Sequence, residues 1–137
     1  MTANPTIEQL AFADFLERVG NSADILRGRC LSYGAGITYW PLVEILIAIG
    51  VAPDSAIGTS PPETQLAFRR LLVARAEERP QVVVIEDLHW ADLSSRALFD
   101  FLCRNLRACS VALIATVRTD EPDDAEFLSW LAELNRL

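Results

Sequence analysis

Residues 82–92 constrain the fold of this chain more than any other stretch. They read VVVIEDLHWAD, in which four β-branched apolar residues lead directly into two adjacent carboxylates, Glu86 and Asp87. A continuous apolar run of this kind is typical of a strand buried on both faces of a parallel sheet. Open α/β sheets bind ligands in the crevice beyond the carboxyl ends of their strands. The stretch therefore predicts a parallel sheet with two acids at its ligand-binding edge.

The rest of the chain alternates between strand-like and helix-like segments. Residues 111–117, VALIATV, form a second fully apolar run, and residues 23–30 form a strand whose Arg27 and Arg29 favour an edge or half-exposed position. Helices are predicted at residues 6–19, 40–49, 60–78, 94–107 and 124–136, with loops at residues 32–38 and 118–123. This order predicts an α/β fold, a three-layer sandwich with a parallel sheet of about three strands and flanking helices.

Composition narrows the class of protein. The 137 residues are enough for one domain with a real core, and we expect residues 1–137 to belong to a single domain. The formal net charge of −7 argues against a general nucleic-acid or anionic-membrane surface. Cys30, Cys103 and Cys109 lack the spacing of a zinc site and indicate buried or half-buried thiols in a reducing cytoplasm. No signal peptide and no apolar stretch of membrane-spanning length is present, so a cytoplasmic location is expected.

The two acids and a downstream arginine suggest phosphate chemistry. Glu86 is placed to contact Mg²⁺ directly or through water, and Asp87 to polarise an attacking water. Arg118 follows the second apolar strand and could reach a γ-phosphate as a charge sensor. In this functional interpretation, Asp92 and Ser94 cap the helix that follows. The alternative is structural, because acids at strand ends are common and often cap the next helix.

The loop between the two acids and that helix contains His89 and Trp90. His89 is the only histidine of the sequence. We expect it to be a hydrogen-bonded structural residue and not a metal ligand, because no metal partner lies at a useful spacing. Trp90 is predicted to fill the core beneath the loop.

A family resemblance rests on these motifs. VVVIEDLHWAD followed by ALIATVRTDE resembles the Walker B and sensor region of STAND-type AAA ATPase domains, which are P-loop ATPases. Such domains occur in bacterial LuxR-type regulators and in regulators linked to adenylate cyclase modules. The resemblance covers nearly all of residues 12–121. It implies ATP and Mg²⁺ as ligands, with Glu86 as the metal-contacting acid, Asp87 as the catalytic acid and Arg118 as the sensor.

One part of the family pattern is missing. Extending the resemblance backward places the phosphate-binding GxxxxGK[ST] loop, the Walker A motif, on residues 2–9, TANPTIEQ. Thr2 and Ile7 then stand at the glycine positions, Glu8 at the lysine position and Gln9 at the hydroxyl position. Exchanging Lys for Glu reverses a charge beside a polyanion, which costs on the order of 1 kcal/mol at 4 Å even when well screened. The sequence thus predicts a truncated, incomplete ATPase domain, the Walker B half without Walker A.

Three functions are compatible with this pattern. The first is a fragment of an ATP-binding signalling ATPase domain that binds or hydrolyses ATP inefficiently alone. The second is a competent ATPase module of a transcriptional regulator or cyclase-linked protein, completed by a missing upstream segment. The third is a non-enzymatic interaction protein that pairs through the open edge of strand 111–117, with a second copy or with a full-length homologue. None of them includes direct nucleic-acid or membrane binding.

Overall fold

The computed structural model describes residues 7–32, 38–118 and 125–137. Three strands alternate with five helices, as the sequence predicts, and the ends differ from the predicted ones by one or two residues. In chain order the elements are α1 (Ile7–Val19), β1 (Asp24–Arg29), α2 (Trp40–Ala48), α3 (Pro61–Glu78), β2 (Gln81–Glu86), α4 (Leu93–Asn105), β3 (Val111–Ala115) and α5 (Ala125–Leu134). Two short 3₁₀ turns, Pro53–Ser55 and Leu88–Trp90, lie in the connections before α3 and after β2.

The three strands form one parallel sheet in the order β1-β2-β3. The register pairs Arg29 with Glu86 and Val83 with both Leu26 and Leu113. Because β2 is central, its apolar residues are covered on both faces, which explains the continuous apolar run. The arginine-bearing β1 lies at an edge of this sheet, which confirms the prediction drawn from its polar face.

Helices cover both faces of the sheet. Leu16 of α1 packs with Val82 and Val84 on one face. On the other face, α2, α3 and α4 enclose the larger core around Leu26 and Val83. The buried helix residues of that core are Leu42, Ile45, Leu46, Phe68, Leu72, Leu98 and Leu102. The fold is therefore the predicted α/β sandwich of the P-loop NTPase type.

The contact between α2 and β1 depends on a glycine. A Cβ atom at Gly28 would lie 2.3 Å from the carbonyl oxygen of Pro41, at the start of α2. Only a residue without a side chain lets the two backbones approach so closely. This contact sets α2 beside the carboxyl end of β1.

A polar network joins β1 and β2 at the opposite, amino end of the sheet. Gln81 is almost fully buried, and its side chain accepts a hydrogen bond from Arg75 at 2.9 Å and donates one to Asp24 at 3.0 Å. Arg75 also donates to Asp24 at 3.1 Å. The hydrogen bond from Gln81 and the nearby guanidinium groups lower the pKa of Asp24.

The last helix packs against α4 through aromatic residues. Phe127 and Trp130 contact Phe99, and the indole Nε1 of Trp130 donates to Asp100 at 2.9 Å. Trp130 therefore has the packing role that the sequence predicts. No helix within residues 7–32, 38–118 and 125–137 combines the length and apolar character needed to cross a bilayer.

Candidate functional site

The parallel sheet brings the predicted site residues to one edge. β1 ends at Arg29 and β2 at Glu86, and these two residues are paired in the register. Asp87 follows directly. Arg118 lies beyond the end of β3, and its backbone N–H donates to Nδ1 of His89 at 3.3 Å. The segment after β3 is thereby joined to the loop that follows the two acids.

Glu86 forms a two-pronged ion pair with Arg27 of β1. Nε of Arg27 donates to Oε2 of Glu86 and Nη2 donates to Oε1, each at 2.9 Å. The Glu86 side chain is 15% exposed, whereas that of Arg27 is 50% exposed. The hydrogen bonds from Arg27 lower the pKa of Glu86, with a further contribution from the charges of Arg27 and Arg29. The same hydrogen bonds raise the pKa of Arg27.

Arg29 lies beside both acids without forming a short hydrogen bond to either. Its Nη2 is 3.7 Å from Oε2 of Glu86, and its Nε is 3.8 Å from Oδ2 of Asp87. Its backbone N–H donates to Oε1 of Glu44 in α2 at 3.0 Å. Positive and negative side chains therefore lie side by side at the carboxyl end of the sheet.

Asp87 has a left-handed backbone that the end of β3 supports. Its φ and ψ angles are 58° and 48°, a region that Asp tolerates better than most residues. Its N–H donates to Oγ1 of Thr116 at 3.0 Å, and the N–H of Leu88 donates to the Thr116 carbonyl at 2.9 Å. Thr116 in turn donates to the carbonyl of Ile85 at 3.0 Å. Backbone strain of this kind costs about 1–3 kcal/mol and persists only where neighbours hold it.

Sequence reasoning missed the roles of Arg27 and Thr116. The available signal for Arg27 was its place on the same face of β1 as Arg29, because alternate residues of a strand share a face. The signal for Thr116 was a hydroxyl directly after an apolar run, level with the acids of β2.

The helix after the acids is capped as predicted, with one change. Asp92 accepts from the N–H of Ser95 at 3.1 Å and from its hydroxyl at 2.6 Å. Ser94, the other predicted cap, lies inside the first turn of α4. Asp92 is the cap, and the helix begins at Leu93.

The prediction that Trp90 fills the core beneath the loop was wrong. Trp90 is 39% exposed, and Leu88 fills the space beneath the loop with Phe99 and Phe127. A single turn of 3₁₀ helix cannot bury both residues, and the smaller one faces the core. His89 has the structural hydrogen bond to Arg118 described above.

An open depression of about 650 Å³ lies at the carboxyl end of β1. Its lining residues come from β1 and the segment just after it, from α2 and from the end of β2; they are Arg27, Gly28, Arg29, Leu31, Trp40, Glu44 and Glu86.

A family model adds an independent observation. The model of the AAA ATPase domain matches residues 10–114, more than two thirds of the chain, and this range contains Glu86 and Asp87. The chain belongs to the AAA ATPase domain family. A comparison with curated proteins returned no match. Arg118 lies just outside the matched range.

Members of this family use nucleotide and Mg²⁺ in general, so the fit of this AAA ATPase domain to a metal matters. Both oxygens of Glu86 accept hydrogen bonds from Arg27, and a second guanidinium lies 3.7 Å away. In the described ranges, no three His, Cys, Asp or Glu side chains cluster as metal ligands. In this structure, the carboxyl end of the sheet therefore does not fit a Mg²⁺ ion at Glu86. The assignment of Glu86 as a metal contact stays a prediction.

The phosphate loop of this AAA ATPase domain is also not apparent. Residues 1–6 lie outside the described part, and residues 7–9 form the exposed first turn of α1 instead of a loop. All 12 basic side chains of the sequence are arginines, so none of its 137 residues is the lysine of a GxxxxGK[ST] motif.

The three cysteines of the AAA ATPase domain are free. Cys30 is buried, and Cys103 and Cys109 are half-buried, as predicted. Burial raises the pKa of Cys30 to about 12, and the nearby carboxylates of Asp92, Asp87 and Glu44 act in the same direction.

Proposed function

We propose that this chain is the Walker B part of an ATP-binding signalling ATPase domain, and that alone it neither binds nor hydrolyses ATP efficiently. One observation supports this most strongly. The acid at the metal position is bound by two hydrogen bonds to Arg27, in a sequence without a phosphate-loop lysine. The sequence lacks that lysine, and a GxxxxGK[ST] loop depends on the lysine and on its own backbone N–H groups to bind the phosphates of ATP.

The proposed roles of the site residues follow from their places at the sheet edge. Asp87 is the acid that orients the attacking water, and its side chain is 32% exposed and thus reachable by solvent. Arg118 is the sensor of the γ-phosphate, since its segment is hydrogen-bonded to the loop after Asp87. Glu86 is the metal-contacting acid once its pair with Arg27 opens. Mg²⁺ would neutralise charge on the phosphates when bound.

The proposed parent is a STAND-type regulator, as in LuxR-type or cyclase-linked proteins. Residues 1–137 would then be one incomplete domain, because the phosphate loop must come from another segment. Three free thiols are in keeping with a reducing cytoplasm. The sensed signal and the output domain would belong to other parts of such a protein.

A phosphate-release assay with Mg·ATP tests the proposal. We expect the wild-type chain and Asp87→Asn to show the same background rate. Asp54→Asn is the matched control, because Asp54 is an exposed acid in the distant 3₁₀ turn before α3. Turnover by the wild-type chain that Asp87→Asn abolishes and Asp54→Asn retains would refute the proposal.

A competent ATPase completed by an upstream segment is the second candidate. The observation that favours it is the strained backbone of Asp87, which Thr116 holds in place at some energetic cost. A longer protein that carries an in-frame GxxxxGK[ST] should then hydrolyse ATP, and Asp87→Asn should abolish this activity. A longer protein without turnover would argue against it.

Self-association through the sheet edge is the third candidate. Within the described residues, β3 pairs with β2 alone, and Ala112 on this strand is exposed. An apolar strand with an unpaired edge favours pairing with another strand. Sedimentation velocity should then show concentration-dependent dimers that Ala112→Lys weakens; a monomer at all concentrations would exclude this candidate.

A further inference from the structure

We propose that the guanidinium of Arg27 prevents divalent metals from binding at Glu86. The carboxyl end of the sheet would then bind a metal only when the Arg27–Glu86 ion pair opens. The inference rests on the proposed function only in treating Glu86 as the metal position. It concerns the regulation of that position, and its test contains no nucleotide.

The register of the sheet explains why Arg27 reaches Glu86. Arg27 is paired with Val84 and Arg29 with Glu86, so both arginines lie on the same sheet face as Glu86. Arg27 stands two residues before the end of β1, and its long side chain extends toward the carboxyl edge. Its planar fork meets the carboxylate with two parallel N–H···O bonds of 2.9 Å. This bidentate geometry is among the strongest that a guanidinium forms with a carboxylate.

Metal binding at Glu86 would compete with these bonds. Mg²⁺ requires oxygen ligands at about 2.0–2.1 Å in a nearly octahedral arrangement, and it gives up its water reluctantly. Each Glu86 oxygen already accepts from Arg27, and the carboxylate is mostly shielded from solvent. A metal ion therefore competes with an intramolecular cation that is held in place by the fold.

The positive charge of Arg29 also opposes metal binding at Glu86. Its guanidinium is 3.7 Å from Glu86 and 3.8 Å from Asp87, so its positive charge lies close to both acids. A dication approaching both carboxylates meets this positive charge at short range, where Coulomb repulsion is largest.

Opening the pair should create a metal site. Arg27→Gln keeps a side chain of related polarity but removes the charge and the fork, leaving Glu86 ionised and without its partner. Arg27→Lys keeps the charge but loses the bidentate geometry. We expect the affinity for a divalent metal to rise in the order wild type, Arg27→Lys, Arg27→Gln.

Mn²⁺ alone, added to ¹⁵N-labelled protein, is the probe. It stands in for Mg²⁺, and its paramagnetism broadens the amide signals near its site. We expect no selective broadening at Glu86 and Asp87 in the wild-type protein, and an affinity about tenfold or more higher in Arg27→Gln, as is typical of changing one group around a metal. Arg18→Gln is the matched control, because Arg18 pairs with Asp14 on the exposed face of α1, far from the edge.

Three results would overturn the proposal. One is selective Mn²⁺ broadening at Glu86 in the wild-type protein with the same affinity as in Arg27→Gln. Another is a folded Arg27→Gln or Arg27→Lys variant without any gain over wild type. Adding Glu86→Gln to Arg27→Gln should abolish the gain; a gain that persists would place the metal elsewhere and also overturn it. If Arg27→Gln fails to fold, Arg27→Lys and the wild type decide the question. ATP turnover bears on the proposed function alone, so the two can fail separately.

Discussion

The pair between Arg27 and Glu86 should couple the stabilities of β1 and β2 in a measurable way. In a double-mutant cycle, Arg27→Gln, Glu86→Gln and the double variant are compared with wild type by urea unfolding. The coupling free energy measures how far the effects of the two substitutions depart from additivity, as expected for residues that contact each other directly. The cycle thus measures the interaction that dominates the carboxyl edge.

The expected magnitude follows from exposure and geometry. Two hydrogen bonds to charged groups suggest several kcal/mol, since each contributes about 1.5–3 kcal/mol when well shielded. Half of the Arg27 side chain is exposed, however, and solvent screening reduces the value toward the range of surface pairs, about 0–1 kcal/mol. We therefore expect a coupling of about 1–2 kcal/mol at pH 7.

The two single variants should differ. Arg27→Gln leaves the Glu86 carboxylate, 15% exposed, without its main partner, whereas Glu86→Gln leaves an arginine that can be rehydrated. The first variant should therefore lose more stability than the second. The charge of Arg29, whose Nη2 is 3.7 Å from Oε2 of Glu86, should limit this loss.

The pH dependence has a definite sign. Because the folded pKa of Glu86 is lowered, its stabilisation is fully present above the unfolded value of about 4.3 and is lost as the pH falls through the folded value. The coupling should therefore be constant from pH 6 to pH 8 and disappear in strong acid. A coupling indistinguishable from zero at pH 7, or one that grows on acidification, would refute the reasoning.

Three further predictions concern the surroundings of the edge. Gly28→Ala should lower the free energy of unfolding by at least about 2 kcal/mol, measured by urea unfolding, because its Cβ would meet the carbonyl of Pro41 at 2.3 Å; a neutral effect would contradict the close contact of α2 with β1. Thr116→Val should cost about 1–2 kcal/mol by removing the acceptor of the Asp87 N–H, and Thr116→Ser should restore most of it; equal losses would show that the hydroxyl does not matter. Cys30, with a pKa raised to about 12, should react with a thiol reagent at pH 8 far more slowly in the folded protein than after unfolding; equal rates, followed by mass spectrometry, would contradict its burial.

Local patterns predicted most of the fold. The apolar run of β2 predicted a strand buried on both faces, and Arg27 and Arg29 predicted an edge position for β1. These are effects of neighbouring residues or of burial on both faces, which a single sequence displays directly.

The pairing of the site residues could not be predicted in the same way. Arg27 and Glu86 are 59 positions apart, and their contact depends on the parallel register and on the choice of face. The left-handed backbone of Asp87 likewise depends on Thr116 of another strand. The prediction for Trp90 was wrong for a related reason. Leu88 fills the space beneath the loop, so the Trp90 side chain stays partly exposed.

A calorimetric titration of Mg·ATP into the wild-type chain tests the central claim most directly. The claim is that an AAA ATPase domain with Glu86 bound to Arg27 and no phosphate-loop lysine does not hold nucleotide by itself. We predict no saturable heat with ATP at millimolar concentration, and the same baseline for Asp87→Asn. Saturable binding of Mg·ATP to the wild-type chain at micromolar concentration would contradict it.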